Sequence, residues 1–174
     1  MIDSLSVRTW YLEMLTPPET EPLPVPYHIS IVRAHQPTLS WYRFLYTQVG
    51  KDFSWYNRLL MFDEELQAII TDDRVEVWVI YLHGVPAGFC ELDRRLDNEI
   101  EISYFGILSE FRGAGIGRLL LDWIVKKAWS YEPLRLWLHT CELDHKAALP
   151  FYLKAGFKLF DEKMTTQQII SSQD

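Results

Sequence analysis

The stretch that decides the fold is Phe111-Arg112-Gly113-Ala114-Gly115-Ile116-Gly117-Arg118. Before it, Glu99 to Leu108 reads as a strand. After it, Ile116, Leu120, Trp123, Ile124 and Ala128 fall on one face of a helix that runs through Trp129. Lys126 and Lys127 suit the negative end of that helix, and Pro133 marks its stop. A glycine-rich loop between a strand and a helix lets backbone come close to a ligand. The first amides of the helix are unpaired and carry partial positive charge, so the loop is a place for a pyrophosphate or similar anion. Arg112 and Arg118 add charge there.

The kind of phosphate ligand is narrowed by what the loop lacks. A nucleotide P-loop needs Lys and Ser or Thr after its last glycine, and here Gly117 is followed by Arg118 and Leu119. A dinucleotide fingerprint counted from Gly113 requires a sixth-position glycine, and that position is Arg118. A glycine-rich turn that binds nothing is the competing reading of the loop taken alone.

Working outward, Val75 to Leu82 and Pro86 to Asp93 form a hairpin about His83-Gly84, and Asp97-Asn98 turns into the strand before the loop. Upstream, His28 to Arg33 alternates as a strand, Thr38 to Val49 has helical spacing, Asp52 to Leu60 reads as a short helix or loop, and Asp63 caps a helix to Ile70. Downstream come a strand Leu134 to Thr140 and a helix His145 to Ala155 capped by Asp144 and closed by Gly156. Two strands follow, Phe157 to Phe160 and Met164 to Ile170. The order is that of a mixed α/β (α+β) domain. Residues 1–26 read as an N-terminal arm and a Pro-rich linker, with 27–174 as the main domain. Ser4 to Met14 has strand-forming residues, but Pro17, Pro18, Pro22, Pro24 and Pro26 forbid regular structure after it. The arm packs either on its own domain or on a second subunit.

Composition limits the function. The chain has 174 residues, enough for one domain with a sizeable core. Asp and Glu total 24 against 17 Lys and Arg, a net charge of -7 that argues against nucleic acid as a partner and is compatible with a cationic amine. Aromatics reach 14%, with seven Trp, for a core or an aromatic-lined cleft. The only cysteines, Cys90 and Cys141, suggest neither a disulfide framework nor zinc, and a cytoplasmic setting is expected. No signal peptide or membrane span is read. The five histidines form no His-x-x-x-His pair, so no metal is expected, and no Gly-x-Ser-x-Gly elbow points to a serine hydrolase.

Arg112-x-x-Gly115-x-Gly117 resembles the Arg/Gln-x-x-Gly-x-Gly/Ala loop of the GNAT superfamily of N-acetyltransferases. The later Ala148-Leu149-Pro150-Phe151-Tyr152-Leu153-Lys154-Ala155-Gly156-Phe157 resembles that family's second signature. The likeness covers about residues 28 to 165. It implies a mostly antiparallel, twisted sheet flanked by helices, with splayed central strands, and acetyl-CoA as co-substrate. The pantetheine arm would pair with backbone near Phe105 and Ile107. The amides of Gly113, Ala114, Gly115, Ile116, Gly117 and Arg118 would hold the pyrophosphate, and the N–H near Phe105 would polarise the thioester carbonyl.

Tyr152 stands where many members place a tyrosine that protonates the leaving thiolate, and Glu101 where some carry a general base. Glu99, Glu91 and Asp93 are alternatives to Glu101. His145 occupies a place where many relatives have an Asn touching the cofactor arm, and His139 is a further candidate base. Cys141 is read as a small loop residue, so direct attack in a ternary complex is expected rather than a covalent route. The acceptor is a small-molecule or peptide amine, with a homodimer expected because strand edges and an arm invite pairing. The alternatives are a CoA-binding sensor or scaffold without turnover, and a structural domain that binds nothing.

Overall fold

A computed structural model describes residues 2–170. Residues 171–174, included in the expected main domain, lie outside the described residues. The elements in chain order are β1 (Ile2–Met14), β2 (Ile29–Ala34), α1 (Leu39–Gly50), α2 (Asn57–Leu60), α3 (Asp63–Ile70), β3 (Val75–Leu82), β4 (Val85–Asp93), β5 (Glu99–Ile107), α4 (Ile116–Trp129), β6 (Arg135–Cys141), α5 (Ala148–Lys154) and β7 (Lys158–Ile170). Short 3-10 turns occupy Lys51–Phe53 and Ser109–Phe111. Among the described residues seven strands form one sheet in the order β2-β3-β4-β5-β6-β1-β7, in which only the β5–β6 pair is parallel. This is the mixed, mostly antiparallel α/β architecture read from the sequence.

Two apolar clusters sandwich the sheet. One gathers Leu120, Ile124 and Ala128 of α4 with Cys90, Leu92, Ile100, Ile102, Leu136 and Leu138. The other gathers Tyr42, Tyr46 and Val49 of α1 and Leu66 and Ile70 of α3 with Val77, Val79 and Phe89. In β3 and β4 neighbouring residues supply opposite clusters, Val77, Val79 and Phe89 one and Ile80, Cys90 and Leu92 the other, so these strands are apolar on both faces.

Of the two placements open to the N-terminal arm, β1 takes the one on its own chain. It lies between β6 and β7, pairing Thr9 with Cys141 on one side and Val7 with Thr165 on the other, and it sends Leu12 and Met14 into the core. The Pro-rich segment then crosses the outside of α4. There the Leu23 amide donates to Asp122 (2.9 Å) and Lys126 Nζ to the Glu21 carbonyl (3.2 Å).

Three local expectations change. The two closing strands are one strand, β7, with Phe160 as an unpaired extra residue where the register shifts opposite Tyr11 and Leu12. Asp63 is the first helical residue of α3 rather than its cap, with Phe62 at that place. Helix α5 starts at Ala148, not His145, because Asp144 turns its oxygens to Trp55 and back to Thr140 and the Cys141 amide and does not cap it.

The feature that positions a site is the parting of β5 from β6. They pair only from Glu99↔Arg135 to Glu101↔Trp137. Beyond that point the β4–β5 register shifts, from Leu92↔Ile102 to Glu91↔Tyr104, so Ser103 is a bulge residue. A bulge bends its strand and adds twist, and here it turns β5 away from β6.

Candidate functional site

The gap between β5 and β6 opens into a cleft of about 480 Å³. Phe105, Gly106 and Ile107 form one wall and Leu138, His139, Thr140 and Cys141 the other. The Leu108 amide donates to Ala87 on the β4 side (2.9 Å). Strand alternation therefore turns the backbone groups of Phe105 and Ile107 toward the gap. Gly88 pairs with Ile107 and Gly106 with Phe89; an added Cβ on Gly88 would meet the Gly106 carbonyl, and one on Gly106 would run into Val49. The wall at Gly106 thus stays bare and lets the Trp55 ring lie against it.

The cleft runs to the glycine loop, where Arg112, Gly113 and Gly117 line it. Gly113 (φ 82°) and Gly115 (φ 79°) sit in the left-handed region, which explains two glycines at these positions. Gly115 caps α4, and the first intrahelical bond runs from the Leu119 amide to the Gly115 carbonyl (3.2 Å). The amides of Ile116, Gly117 and Arg118 therefore have no partner within the helix. The Ile116 side chain is buried in the core, while that of Arg118 is exposed. Arg112 folds back. Its Nε donates to the Ile107 carbonyl (3.2 Å), its guanidinium meets Asp52 (3.3 Å), and it lies over the Phe53 ring (4.7 Å). A bound phosphate would compete with Asp52 for it.

The two faces of the sheet present different chemistry to the cleft. Tyr152 comes from α5 on the α4 side, packed against Phe105, Phe151 and Phe157. Burial, with smaller contributions from Asp144 and Cys90, pushes its phenol well above the ordinary value, so it is a hydrogen-bond donor at neutral pH. On the other side stand Tyr46, Trp55 and Tyr104, with ring centroids 5.0 to 5.5 Å apart. Behind them is a buried polar network. Glu91 accepts from the Tyr42 hydroxyl and from Arg58, both at 2.5 Å, and Arg58 lies over the Tyr104 ring (5.2 Å). Burial and then Glu91 raise the Tyr42 phenol, which keeps it a donor. Trp55 also bridges the cleft, its Nε1 donating to Asp144 Oδ1 (3.1 Å), while Asp144 Oδ2 accepts from the Thr140 hydroxyl (2.7 Å) and the Cys141 amide (3.0 Å).

Of the residues singled out from the sequence, Phe105, Ile107, Arg112, Gly113, Gly117, His145 and Tyr152 line the cleft. Ala114, Gly115, Ile116 and Arg118 belong to the adjoining loop and first turn of α4, and their side chains do not line it. Glu101 lies in a neighbouring hollow with Asp93, Arg95 and Leu96, and reaches His139, whose Nδ1 is 3.3 Å from Glu101 Oε1. His145 Nδ1 accepts from the Ala147 amide (3.1 Å). Glu91 and Asp93 are committed elsewhere, Glu91 to Arg58 and Asp93 to Arg95 (2.5 Å). Burial raises the Cys141 thiol, in keeping with a residue that is not an activated nucleophile. Sequence reading missed Trp55, Asp144 as a bridge, and Arg58. The segment Asp52 to Leu60 offered no periodicity that would have placed them.

The acetyltransferase (GNAT) family model matches residues 37–157. Uncharacterized N-acetyltransferases of Mycobacterium bovis and Mycobacterium tuberculosis are 29% identical over 90 residues, which is 52% of this chain and 57% of theirs. The chain thus spans little more than half the length of those relatives. A GNAT family acetyltransferase from Elizabethkingia anophelis with acetyl-CoA bound shares the fold at TM-score 0.60 and 20% identity, over 78% of this chain and 80% of that one. A GCN5-related N-acetyltransferase from Sphaerobacter thermophilus does so at TM-score 0.64 and 18% identity, over 97% and 54%. The chain belongs to the acetyltransferase (GNAT) family.

Proposed function

We propose that this protein transfers an acetyl group from acetyl-CoA to a primary amine by direct attack in a ternary complex. The observation that carries the reading is the continuity of the β5–β6 gap with the unpaired amides at the start of α4. An extended thioester arm fits the gap and a pyrophosphate fits the loop, and both would be held by backbone. The relative from Elizabethkingia anophelis, solved with acetyl-CoA, supports the choice of ligand.

On this reading the amides of Gly113 to Arg118 take the pyrophosphate, Phe105 and Ile107 pair with the arm, and the Phe105 amide polarises the reacting carbonyl. His145 donates toward the arm, since its Nδ1 is already an acceptor. The amine approaches from the Trp55 and Tyr104 side and Tyr152 serves the sulfur from the other. A phenol raised by burial is a weak acid in water. The same desolvation raises a thiol, as it does that of Cys141, so a dehydrated thiolate is a competent acceptor of the Tyr152 proton. The acceptor is a small-molecule or peptide amine. A homodimer through the free edge of β7, where Met164 and Ile170 are exposed, belongs to the same proposal.

The test is a melting curve with and without excess acetyl-CoA, beside a Gly115→Glu variant, followed by thiol release with a panel of amines. A ligand present at a hundredfold excess over its dissociation constant adds about 2.7 kcal/mol of stability. Nothing lies within 4 Å of the Cβ position at Gly115, so the variant meets backbone strain and charge rather than a clash. A shift lost in the variant, with thiol release, is expected. A shift without release on any amine would favour a CoA-binding sensor. No shift would defeat the reading.

A further inference from the structure

We propose that His139 is the proton acceptor for the incoming amine and that Glu101 is its positioning residue. The proposal rests on the transferase reading above. Strand β6 alternates. Leu136 and Leu138 point into the core on the α4 side, where Tyr152 also lies, so Trp137 and His139 project from the opposite face. That is the face of Trp55 and Tyr104, from which the amine enters. His139 stands two residues past the last pairing of the fork, Glu101↔Trp137, and it lines the cleft, whereas Glu101 lies in the neighbouring hollow.

Elimination leads to the same residue. Among the described residues, the other acidic groups around this end of the fork have partners. Glu91 has Tyr42 and Arg58, Asp93 has Arg95, Glu99 has Arg135, and Asp144 has Trp55, Thr140 and the Cys141 amide. Glu101 has His139. His145 spends its Nδ1 lone pair on the Ala147 amide, so its other nitrogen carries the proton and donates. His139 is arranged the opposite way. Its Nδ1 faces a carboxylate at 3.3 Å, which favours a proton there and leaves the Nε2 lone pair free to accept. The Tyr11 and Trp137 rings lie beside it, with centroids at 5.8 and 6.4 Å, and Lys163 lies over Tyr11 at 5.2 Å.

The proton balance closes. His139 Nε2 takes one proton from the ammonium form of the substrate, and the freed nitrogen lone pair forms the C–N bond at the thioester carbonyl. The C–S bond then breaks. Tyr152 gives its proton to the leaving sulfur, and the second proton shed by nitrogen as the amide forms is returned through water to the Tyr152 phenolate. His139, with a side chain 39% exposed, returns its proton to water. One ammonium and one thioester give one amide, one thiol and one proton.

The experiment measures kcat and KM of His139→Ala and Glu101→Ala, using acetyl-CoA and the first alkylamine that releases thiol with the unaltered protein. Acetyl-CoA melting shifts are recorded alongside. Loss of a general base lowers kcat by roughly a hundredfold to ten-thousandfold. The expected result for His139→Ala is such a loss, with the KM for acetyl-CoA and the melting shift retained and with partial rescue by added imidazole. Glu101→Ala is expected to lower kcat less. In long-range 1H–15N spectra it should also move the His139 proton from Nδ1 to Nε2, which a merely structural carboxylate would not do. A His139→Ala kcat within twofold of the original, a loss confined to KM, or an Nε2-protonated His139 in the unaltered protein would each overturn the proposal while leaving the transferase reading intact. No melting shift in the unaltered protein would sink that reading, and this proposal with it.

Discussion

Replacing Arg58 with methionine tests the network behind the cleft most directly. Methionine keeps much of the aliphatic stem and removes the guanidinium. Glu91 is fully buried, with one oxygen on Arg58 and the other on Tyr42. The Arg58 side chain is only 7% exposed, so water does not replace it without opening the α1–α2 face. Removing one partner of a buried ion pair costs about 3–5 kcal/mol, because the remaining charge stays out of water. With a urea dependence of about 2 kcal/mol per molar, the unfolding midpoint should fall by about 1.5–2.5 M. A companion Arg58→Met/Glu91→Leu/Tyr42→Phe variant removes the whole polar set. Replacement of a complete buried set by apolar groups is neutral or stabilising, so it should recover most of the loss. A single-variant midpoint within about 0.5 M of the original would refute the reasoning. A triple variant as unstable as the single one would mean that lost packing, not an orphaned charge, sets the cost.

Three further outcomes are expected. Tyr152→Phe should lower kcat with little change in acetyl-CoA affinity, and unchanged turnover would remove Tyr152 from the mechanism. Asp52→Ala frees Arg112 for phosphate, and because an exposed pair is worth about 0.2–1 kcal/mol, acetyl-CoA titration should show binding tightened up to about fivefold. Weaker binding would show that Asp52 helps the loop rather than competing with the ligand. The Arg74 guanidinium, and then its amide, hold the Asp72 carboxyl at about 2. That lies below the unfolded value of about 3.9, so the pair's contribution is present above about pH 4 and lost as pH falls toward 2. Asp72→Asn should therefore melt below the original at pH 7, and the gap should close near pH 2. A gap that persists there would disprove the linkage.

The sequence made the glycine loop legible because a left-handed backbone leaves a residue signature at Gly113 and Gly115, and α4 because its apolar period is long. Tyr152 and the cofactor wall were reached through a motif. What stayed hidden depends on contacts between distant segments. Asp144 reads locally as a cap, and the approach of Trp55 from a distant segment claims one of its oxygens. Glu91, in an apolar strand, looks like a solvent-facing carboxylate until α1 and α2 cover that side with Tyr42 and Arg58. Glu101 was reached through the family resemblance, but its partner His139 lies on β6, and the fork that joins them is set by a bulge at Ser103 that no residue pattern announces.

The place of β1 between β6 and β7 bears on how the chain acquires its shape. Its partners are made long after it, since Thr9 must find Cys141 and Val7 must find Thr165. At about 5–20 residues per second, a ribosome needs on the order of ten seconds to supply them. Meanwhile Leu12 and Met14 have no core to enter and both edges of β1 are open, a hazard for pairing with other chains. The hairpins from β3 to β5 and the helix after the glycine loop draw on nearby residues and can organise first. The β6 wall of the cleft, with His139 and Cys141, consolidates when the long-range ladder closes, and closing such a ladder is intrinsically slow. In refolding experiments, stability of the β3–β5 half is therefore expected to precede competence for ligand.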